Sequence, residues 1–193
     1  MKHITTTVLL LAGSFVCQAG SVLDTEFDNL YAKASKQAVG DAVPQMLFKL
    51  AREEAGAEGV KFTDMGRLAN YLADDYTLYS RIQAEVIQGQ CAVEGADLSA
   101  YLAQLAVDDA READVAKRIY ARLGSNYEKV WIQLKPQAVR GAPGIVSHFA
   151  AVLSVPTDKF CSQLAKDPTG SADRLSYAST HQSRSQVLRA ISP

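Results

Sequence analysis

The chain contains few cysteines and histidines, the residues that supply a thiol nucleophile and its base. Beyond the first nineteen residues there are two cysteines and two histidines, namely Cys91, Cys161, His148 and His181. A cysteine thiolate activated by a histidine base is the nucleophile of secreted cysteine hydrolases, and Cys91 with His148 is the pair to consider. Neither cysteine lies in a recognisable nucleophile motif, and His181 lies in a polar stretch. We therefore predict no catalytic residue and keep the Cys91 and His148 pair as an alternative.

Other motifs for catalysis or metal binding are missing from the sequence. It contains no Gly-rich phosphate loop, no paired-histidine zinc motif and no nucleophile elbow. The acidic run from Asp108 to Asp114 lacks the glycine and the ligand spacing of a calcium loop. We therefore predict no cofactor and no metal, and a function in binding.

The first nineteen residues have the layout of a secretory signal peptide. Lys2 gives a positive start, and residues 8–16 are apolar. Cys17 and Ala19 are the small residues that a signal peptidase recognises, and cleavage would leave Gly20 as the first mature residue. The apolar run is about half of the roughly 20 residues that cross a bilayer, so we predict no transmembrane anchor. The expected location is the periplasm or the extracellular space.

Export determines how the remaining cysteines are interpreted. Cleavage removes Cys17 and leaves Cys91 and Cys161 as a single pair in an oxidising compartment, where two thiols form a disulfide. The bridge would close a loop of about 70 residues and stabilise the fold by roughly 4 kcal/mol in the chain-entropy model. Lipid attachment to Cys17 is a less favoured alternative, because the preceding Ser-Phe-Val lacks the leucine and the small pair of a lipoprotein signal.

Composition predicts an all-α fold. Of the 193 residues, 48% are hydrophobic and only 8% are aromatic. Strong helix formers such as Ala, Leu, Glu and Lys are abundant, and β-branched residues do not alternate in runs. A mature chain of this length fits one domain with a single core. We predict a single-domain helical bundle of about six to eight helices over residues 20–168, followed by a polar C-terminal tail over residues 169–193.

Apolar residues recur every three or four positions, which indicates successive amphipathic helices. The predicted starts and stops are Asp24 to Gly40, Asp41 to Gly56, Thr63 to Cys91, Asp97 to Leu105, Val115 to Gly124, Ser125 to Pro136, Ile145 to Leu153 and Thr157 to Leu164. Ser125 and Glu128 have the spacing of a capping box, and the helix over 145–153 is apolar enough to be the central helix of the core. The tail is expected to be loosely packed or partly disordered, with a short terminal helix near 182–190.

Charge is divided unevenly between the two halves of the mature chain. Residues 20–115 carry 8 basic against 17 acidic side chains, and residues 116–193 carry 11 against 4. The near-neutral total argues against nucleic acid or an anionic membrane as partner. The acids that the helix pattern places on loops or outer faces are Asp74, Asp75, Asp108, Asp109, Glu112 and Asp114. They predict a docking face for a protein with a basic surface, and the alternative is that the two halves neutralise each other inside one domain.

The predicted function is binding to another protein. Export, small size, a helical body and an acidic surface favour a protein of the bacterial envelope, such as an inhibitor or immunity-type neutraliser of a secreted enzyme, or a helper of envelope assembly. A hydrolase that uses Cys91 and His148 is one alternative. The other is a carrier for a small apolar ligand, which the tyrosine-rich helical faces permit.

Overall fold

The structure, a computed structural model, describes residues 17–54 and 65–191, with side chains from residue 23 onward. The predicted signal peptide lies outside these residues except for its last three positions, and so do the predicted helix end at Gly56 and the cap at Thr63. Within the described ranges the chain is helical without a strand, which confirms the all-α prediction. In the same ranges no helix combines the length and the apolarity that crossing a membrane requires.

The helices follow one another through short connections. In chain order they are α1 (Cys17–Gln37), α2 (Ala42–Glu54), α3 (Met65–Arg81), a π-helical segment (Ile82–Ile87), α4 (Gln88–Val93), α5 (Ser99–Asp108), α6 (Ala110–Leu123), α7 (Tyr127–Arg140), α8 (Ala142–Leu153), a 3-10 turn (Thr157–Lys159), α9 (Phe160–Lys166), α10 (Pro168–Leu175), α11 (Tyr177–Thr180) and α12 (Gln182–Ala190). With the continuous run 65–93 counted as one, the described residues form eleven helices. This exceeds the prediction, because the predicted tail itself forms helices.

Local residues set several helix ends. Asp97 accepts hydrogen bonds from the hydroxyl and the backbone N of Ser99, at 2.6 and 2.9 Å, and these bonds hold its pKa below the usual value. α6 ends at Gly124, whose φ of +73° is readily adopted only by glycine. At the start of α10, Asp167 accepts from the backbone N of Gly170 at 3.1 Å. Asp97 and Gly124 thus mark helix ends as predicted.

Two predictions about α7 are wrong. The capping box does not form, because Ser125 Oγ accepts from the backbone N of Tyr127 at 2.9 Å but the Glu128 carboxylate binds the Arg81 guanidinium. A charged donor competes successfully with an exposed backbone N–H for that carboxylate. The helix also continues through Pro136, which lies on its exposed side, where water can donate to the carbonyl that lacks an N–H partner.

The core is built around α3 and the segments that continue it. They pack against α2, α6, α8, α11 and α12 and bury side chains on several faces. α8, the predicted central helix, lies at the edge instead. Its buried residues are Ala142, Val146, Phe149, Ala150 and Leu153, and its exposed residues include Ser147, His148 and Ala151. The prediction was wrong because apolar content was counted around the whole helix, whereas Pro143, Gly144 and Ala151 lie on its exposed side.

The C-terminal tail is packed, contrary to the expectation of loose packing or disorder. The short terminal helix forms over the predicted residues as α12. The tail residues that are completely buried in the main core are Ala172, Leu175, Tyr177, Val187 and Leu188. α12 packs against α2, α3 and α6, so the tail is part of the body of the fold.

Cys91 in α4 and Cys161 in α9 form the predicted disulfide. Their Cα atoms are 5.2 Å apart, and both residues are buried in the main core. The bond joins the end of the long run 65–93 to the C-terminal third of the chain.

Candidate functional site

Cys91 and His148 do not form a catalytic pair. The sulfur of Cys91 is bonded to Cys161, so it has no thiolate to act as a nucleophile. His148 is exposed on α8, where the centre of its ring lies 5.8 Å from that of Phe149. The hydrolase alternative therefore lacks its nucleophile in the disulfide-bonded protein.

Four of the six acids predicted to form a docking face keep some exposure, and three of these are engaged by a neighbour on the outside of the fold. They are Asp74, Asp108 and Asp114, and their partners are Tyr120, Gln104 and Arg118, at 2.8, 2.9 and 2.9 Å respectively. Exposed pairs of this kind contribute roughly 0–1 kcal/mol to stability. Of the three partners only Arg118 is charged, so the charge of Asp114 is compensated, whereas the hydrogen bonds of Asp74 and Asp108 hold their carboxylates in place.

Asp109 is buried, so its predicted place on an outer face is wrong. Its carboxylate accepts from the backbone N of Tyr177 at 2.9 Å and thereby caps α11, 68 residues further along the chain. Burial, together with the neighbouring Glu112 carboxylate, raises the pKa of Asp109 to about 6. This residue positions the C-terminal segment and is not available to a partner.

Glu112 is completely buried, so its predicted exposure is also wrong. Its Oε1 accepts from the Ser185 hydroxyl and from Arg189 Nε, the latter at 2.6 Å. The spacing of Glu112 to Val115 and Ile119 places it on the buried face of α6, and this spacing is a signal in the sequence. A buried carboxylate needs such partners, because an unpaired charge in the interior is strongly unfavourable.

Replacing Asp109 by asparagine should change how stability depends on pH. Folding raises the pKa of Asp109 from 3.8 to about 6, so the folded state favours the protonated form. The resulting stabilisation is present below pH 4 and is lost as pH rises to 6, a decline of up to about 3 kcal/mol from this group. Asp109→Asn keeps an oxygen acceptor for Tyr177 but cannot ionise. Urea unfolding between pH 4 and pH 7 should therefore show a smaller decline in the variant.

The matched control for this experiment is Asp114→Asn, which changes an exposed carboxylate on α6, the helix that begins directly after Asp109, and should leave the pH profile unaltered. Asparagine is preferred to alanine at position 109 because alanine would leave the Tyr177 N–H without a partner. Parallel profiles for wild type and Asp109→Asn would contradict the assigned burial of this carboxylate.

A second cluster, which sequence alone did not indicate, joins α12 to α1 and α3. Arg184 Nε donates to the Tyr71 hydroxyl at 2.9 Å, and Nη2 lies 3.1 Å from Asp24 Oδ1. Asp75 accepts from the Tyr177 hydroxyl at 2.6 Å and lies 3.9 Å from Arg184. Burial lowers the pKa of Arg184, but the carboxylates of Asp75 and Asp24 raise it overall. Asp75, another acid of the predicted docking face, therefore binds side chains of the C-terminal segment of the same chain.

Hydrogen-bonded side chains also cross the core. Tyr101 donates to Gln83 Oε1 at 3.0 Å, and Gln83 Nε2 donates to the Tyr79 hydroxyl at 3.2 Å. The His181 ring centre lies 4.9 Å from that of Tyr79 and 4.8 Å from that of Tyr177. Burial lowers the pKa of His181 and raises that of Tyr79 to about 12. Both groups are neutral near pH 7, and their role is to hold α11 against α3.

The unequal charges of the two halves are neutralised inside the fold. The basic side chains of the second half that pair with acids of the first half are Arg118 with Asp114, Lys135 with Glu85, Arg184 with Asp24, Asp28 and Asp75, and Arg189 with Glu112. They favour internal neutralisation, the alternative to an acidic docking face. In the described ranges no group of three or more His, Cys, Asp or Glu side chains is placed to hold a metal ion.

The surface with the clearest binding character is the outward side of α7. Ile132, Pro136 and Val139 lie at i, i+4 and i+7 and form one exposed apolar strip, which we call the α7 face. Ile132 is 69% exposed and Val139 is 51% exposed. Lys129 and Arg140 border the strip, and in the described part of the chain neither has a charged partner. Single exposed apolar residues are common, but three in helical register are typical of a helix that binds in a groove.

The inner side of α7 fixes this face in place. Tyr127 and Trp131 are buried in a small second hydrophobic cluster, and Arg81 lies 5.8 Å from the ring centre of Tyr127. Trp131 Nε1 donates to the Glu85 carboxylate at 3.0 Å, and Lys135 Nζ lies 2.6 Å from the same group. The aromatic side chains therefore point inward, and the strip points to solvent.

No family model, curated protein sequence or solved structure matches this chain.

An apolar cleft of about 440 Å³ lies between α2, α3 and α6. Phe48, Ile119 and Leu123 line it. Met65 and Ile191 also line it, and each adjoins residues outside the described ranges. The lining is of the kind that a carrier for a small apolar ligand would need.

Proposed function

We propose that this protein is an exported binding protein and that it contacts a partner protein through the α7 face. The observation that carries the proposal is the exposure of Ile132, Pro136 and Val139 in one line, on a helix whose aromatic side chains are buried. Covering the exposed parts of Ile132 and Val139 would contribute roughly 1–2 kcal/mol per side chain. Anchors in this register are what an apolar groove selects.

The charges beside the strip favour a partner with carboxylates at the rim of its groove. Residues 127–140 contain three basic side chains and one acidic side chain. Lys129 and Arg140 are without a charged partner in the described ranges, whereas Lys135 is paired with Glu85. This partner is the reverse of the basic one predicted from sequence, because four of the six acids that motivated that prediction are buried or lie against an arginine of the same chain. Complementary charge would chiefly speed association.

An anionic lipid surface is the less favoured occupant. A helix that lies in a membrane interface turns Trp, Phe and Leu toward the lipid. α7 does the opposite, since Tyr127 and Trp131 are buried and the outward strip consists of two β-branched residues and a proline. Such a strip fits a protein groove better than an acyl boundary.

Two further observations support export. The Cys91–Cys161 bond is of a kind that persists in the periplasm or the extracellular space. The apolar residues 8–16 and the small residues before Gly20 fit a signal peptide. A disulfide-bonded helical body with one outward contact face suits an inhibitor or immunity-type neutraliser, or a helper of envelope assembly. The hydrolase alternative is not favoured, since Cys91 is bonded.

Site-specific photo-crosslinking in the exporting cell tests the α7 face. A photoreactive phenylalanine analogue in place of Ile132 should give one defined crosslinked product. The same analogue in place of Val107, which is 68% exposed on α5, should not. The crosslinked partner is then identified by mass spectrometry and purified. Ile132→Glu should weaken its binding at least about tenfold, which corresponds to roughly 1.4 kcal/mol.

Val107→Glu is the matched control and should bind the purified partner as the wild type does. Both positions are exposed, so helical content and melting temperature should be nearly unchanged in the two glutamate variants. Equal crosslinking from positions 107 and 132, or undiminished binding by Ile132→Glu, would reject the α7 face.

A further inference from the structure

A polar cavity of about 510 Å³ lies where α2, α6, α11 and α12 meet, and none of its lining residues belongs to α7. Its charged or amide side chains are Asp41, Arg111, Gln182, Gln186 and Arg189. Two hydrogen bonds fix the Gln186 side chain in the wall of the cavity. Its Nε2 donates to the Gly40 carbonyl at 3.0 Å, and its Oε1 accepts from the Tyr31 hydroxyl at 2.7 Å. These bonds tie α12 to the corner between α1 and α2, so the cavity has a defined shape.

Arg111 occupies an unfavourable position unless an anion meets it. It lies in the first turn of α6, where the helix dipole is positive and disfavours a cation. Its side chain is exposed, and it has no carboxylate partner in the described part of the chain. The adjacent Glu112 is bound to Arg189. An unpaired cation at this place, facing a cavity, is the kind of local conflict that binding sites contain.

Arg189 supplies a second guanidinium, and its position is fixed. Its Nε lies 2.6 Å from Oε1 of Glu112, which is completely buried and also accepts from Ser185. The Arg189 side chain is 32% exposed and lines the cavity. Because Nε is the atom that binds Glu112, the two terminal nitrogens remain to receive a planar carboxylate.

Asp41, which directly precedes α2, lines the same cavity and carries a negative charge. It has no basic partner among the described residues. We propose that the cavity binds a small zwitterionic ligand, of the size of a free amino acid or a short peptide. Its carboxylate would bind Arg111 and Arg189, and its ammonium group would bind Asp41. A simple anion such as phosphate would satisfy the arginines but meet Asp41 as a like charge.

Titration of the intact, disulfide-bonded, ¹⁵N-labelled protein with alanyl-alanine tests the proposal. Backbone amide signals of residues 41–43, 45, 110–112 and 178–190 should shift and saturate. The expected Kd is on the order of 1 mM, because water screens ion pairs that are partly exposed. Acetyl-alanyl-alanine lacks the ammonium group and alanyl-alanine amide lacks the carboxylate, so each should bind about fivefold more weakly. Arg111→Gln should weaken alanyl-alanine by a similar factor.

Two variants make the test specific. Arg118→Gln, on the same helix but outside the cavity, should bind alanyl-alanine as the wild type does. Asp41→Asn should weaken alanyl-alanine but leave acetyl-alanyl-alanine unaffected, and both altered residues are exposed, so the fold should persist. Absence of saturable shifts up to about 20 mM, equal binding of free and acetylated dipeptide, or tighter binding of inorganic phosphate would each overturn the zwitterion site.

Discussion

Replacing Arg184 by methionine is expected to lower the free energy of unfolding by about 3 kcal/mol. The Arg184 side chain is only 17% exposed, so solvent screens its interactions weakly. Its guanidinium binds Asp24 and Tyr71 and lies 3.9 Å from Asp75. Methionine fills much of the same space but leaves both carboxylates without their cation in a partly buried site. The contact between α12 and α1 should weaken most.

Equilibrium urea unfolding, followed by circular dichroism, measures this loss. Arg118→Met is the matched control, because Arg118 is exposed on α6 and its partner among the described residues is the exposed Asp114 one turn away. That change should alter stability by no more than about 0.5 kcal/mol. Arg184→Lys should be intermediate, since lysine keeps the charge but not the planar fork. Equal unfolding midpoints for Arg184→Met and Arg118→Met would contradict the assigned role of Arg184.

Breaking the Cys91–Cys161 bond is expected to lower the free energy of unfolding by about 4 kcal/mol. The two cysteines are 70 residues apart in sequence, so the bond removes many conformations from the unfolded chain. A loss of this size is a large part of the roughly 5–15 kcal/mol by which small domains are stable. The reduced protein should therefore unfold at a much lower urea concentration than the oxidised protein.

Three samples separate the contributions to this loss: the oxidised protein, the reduced wild type, and the Cys91→Ala/Cys161→Ala variant. The reduced wild type keeps both side chains, so its difference from the oxidised protein reports the bond alone. The double variant adds the loss of two buried sulfur atoms. Native protein should also resist alkylation without reductant. Unchanged stability on reduction, or full labelling of both cysteines in the native protein, would contradict the bond.

The helical fold and the disulfide could be predicted because their signals are local or follow from counting. Asp97 and Gly124 mark helix ends by rules that involve only a few neighbouring residues. Once Cys17 is assigned to the signal peptide, Cys91 and Cys161 can pair in one way. The helical periodicity of the apolar residues gave the order of the elements through residue 164.

The packing of the C-terminal segment could not be predicted, because its partners are distant in sequence. A polar segment predicts disorder when nothing indicates what its side chains will bind. Arg184 reaches Asp24 across 160 residues, and Arg189 reaches Glu112 across 77 residues. Opposite charge is the only sequence signal for either pair, and many other pairs in the chain share it.

The exposure of the α7 face could not be predicted from the sequence either. α7 carries apolar residues on two sides, one with Tyr127, Trp131 and Leu134 and the other with Ile132, Pro136 and Val139. Both sets are readable as helical patterns in the sequence. Only the packing against the π-helical segment and α8 determines which set is covered and which faces solvent.

The first and last helices of the described chain bind each other, and this affects the order in which the fold can form. Tyr31 on α1 binds Gln186 on α12, and Asp24 binds Arg184, across 155 and 160 residues. Contacts so distant in sequence carry a large loop-closure cost, and we therefore expect them to form late in folding. A chain that stops before Arg184 would leave the carboxylates of α1 and α3 without their cation and the main core open. We expect such a truncated chain to be less stable than the full-length protein and to be cleaved more readily by proteases.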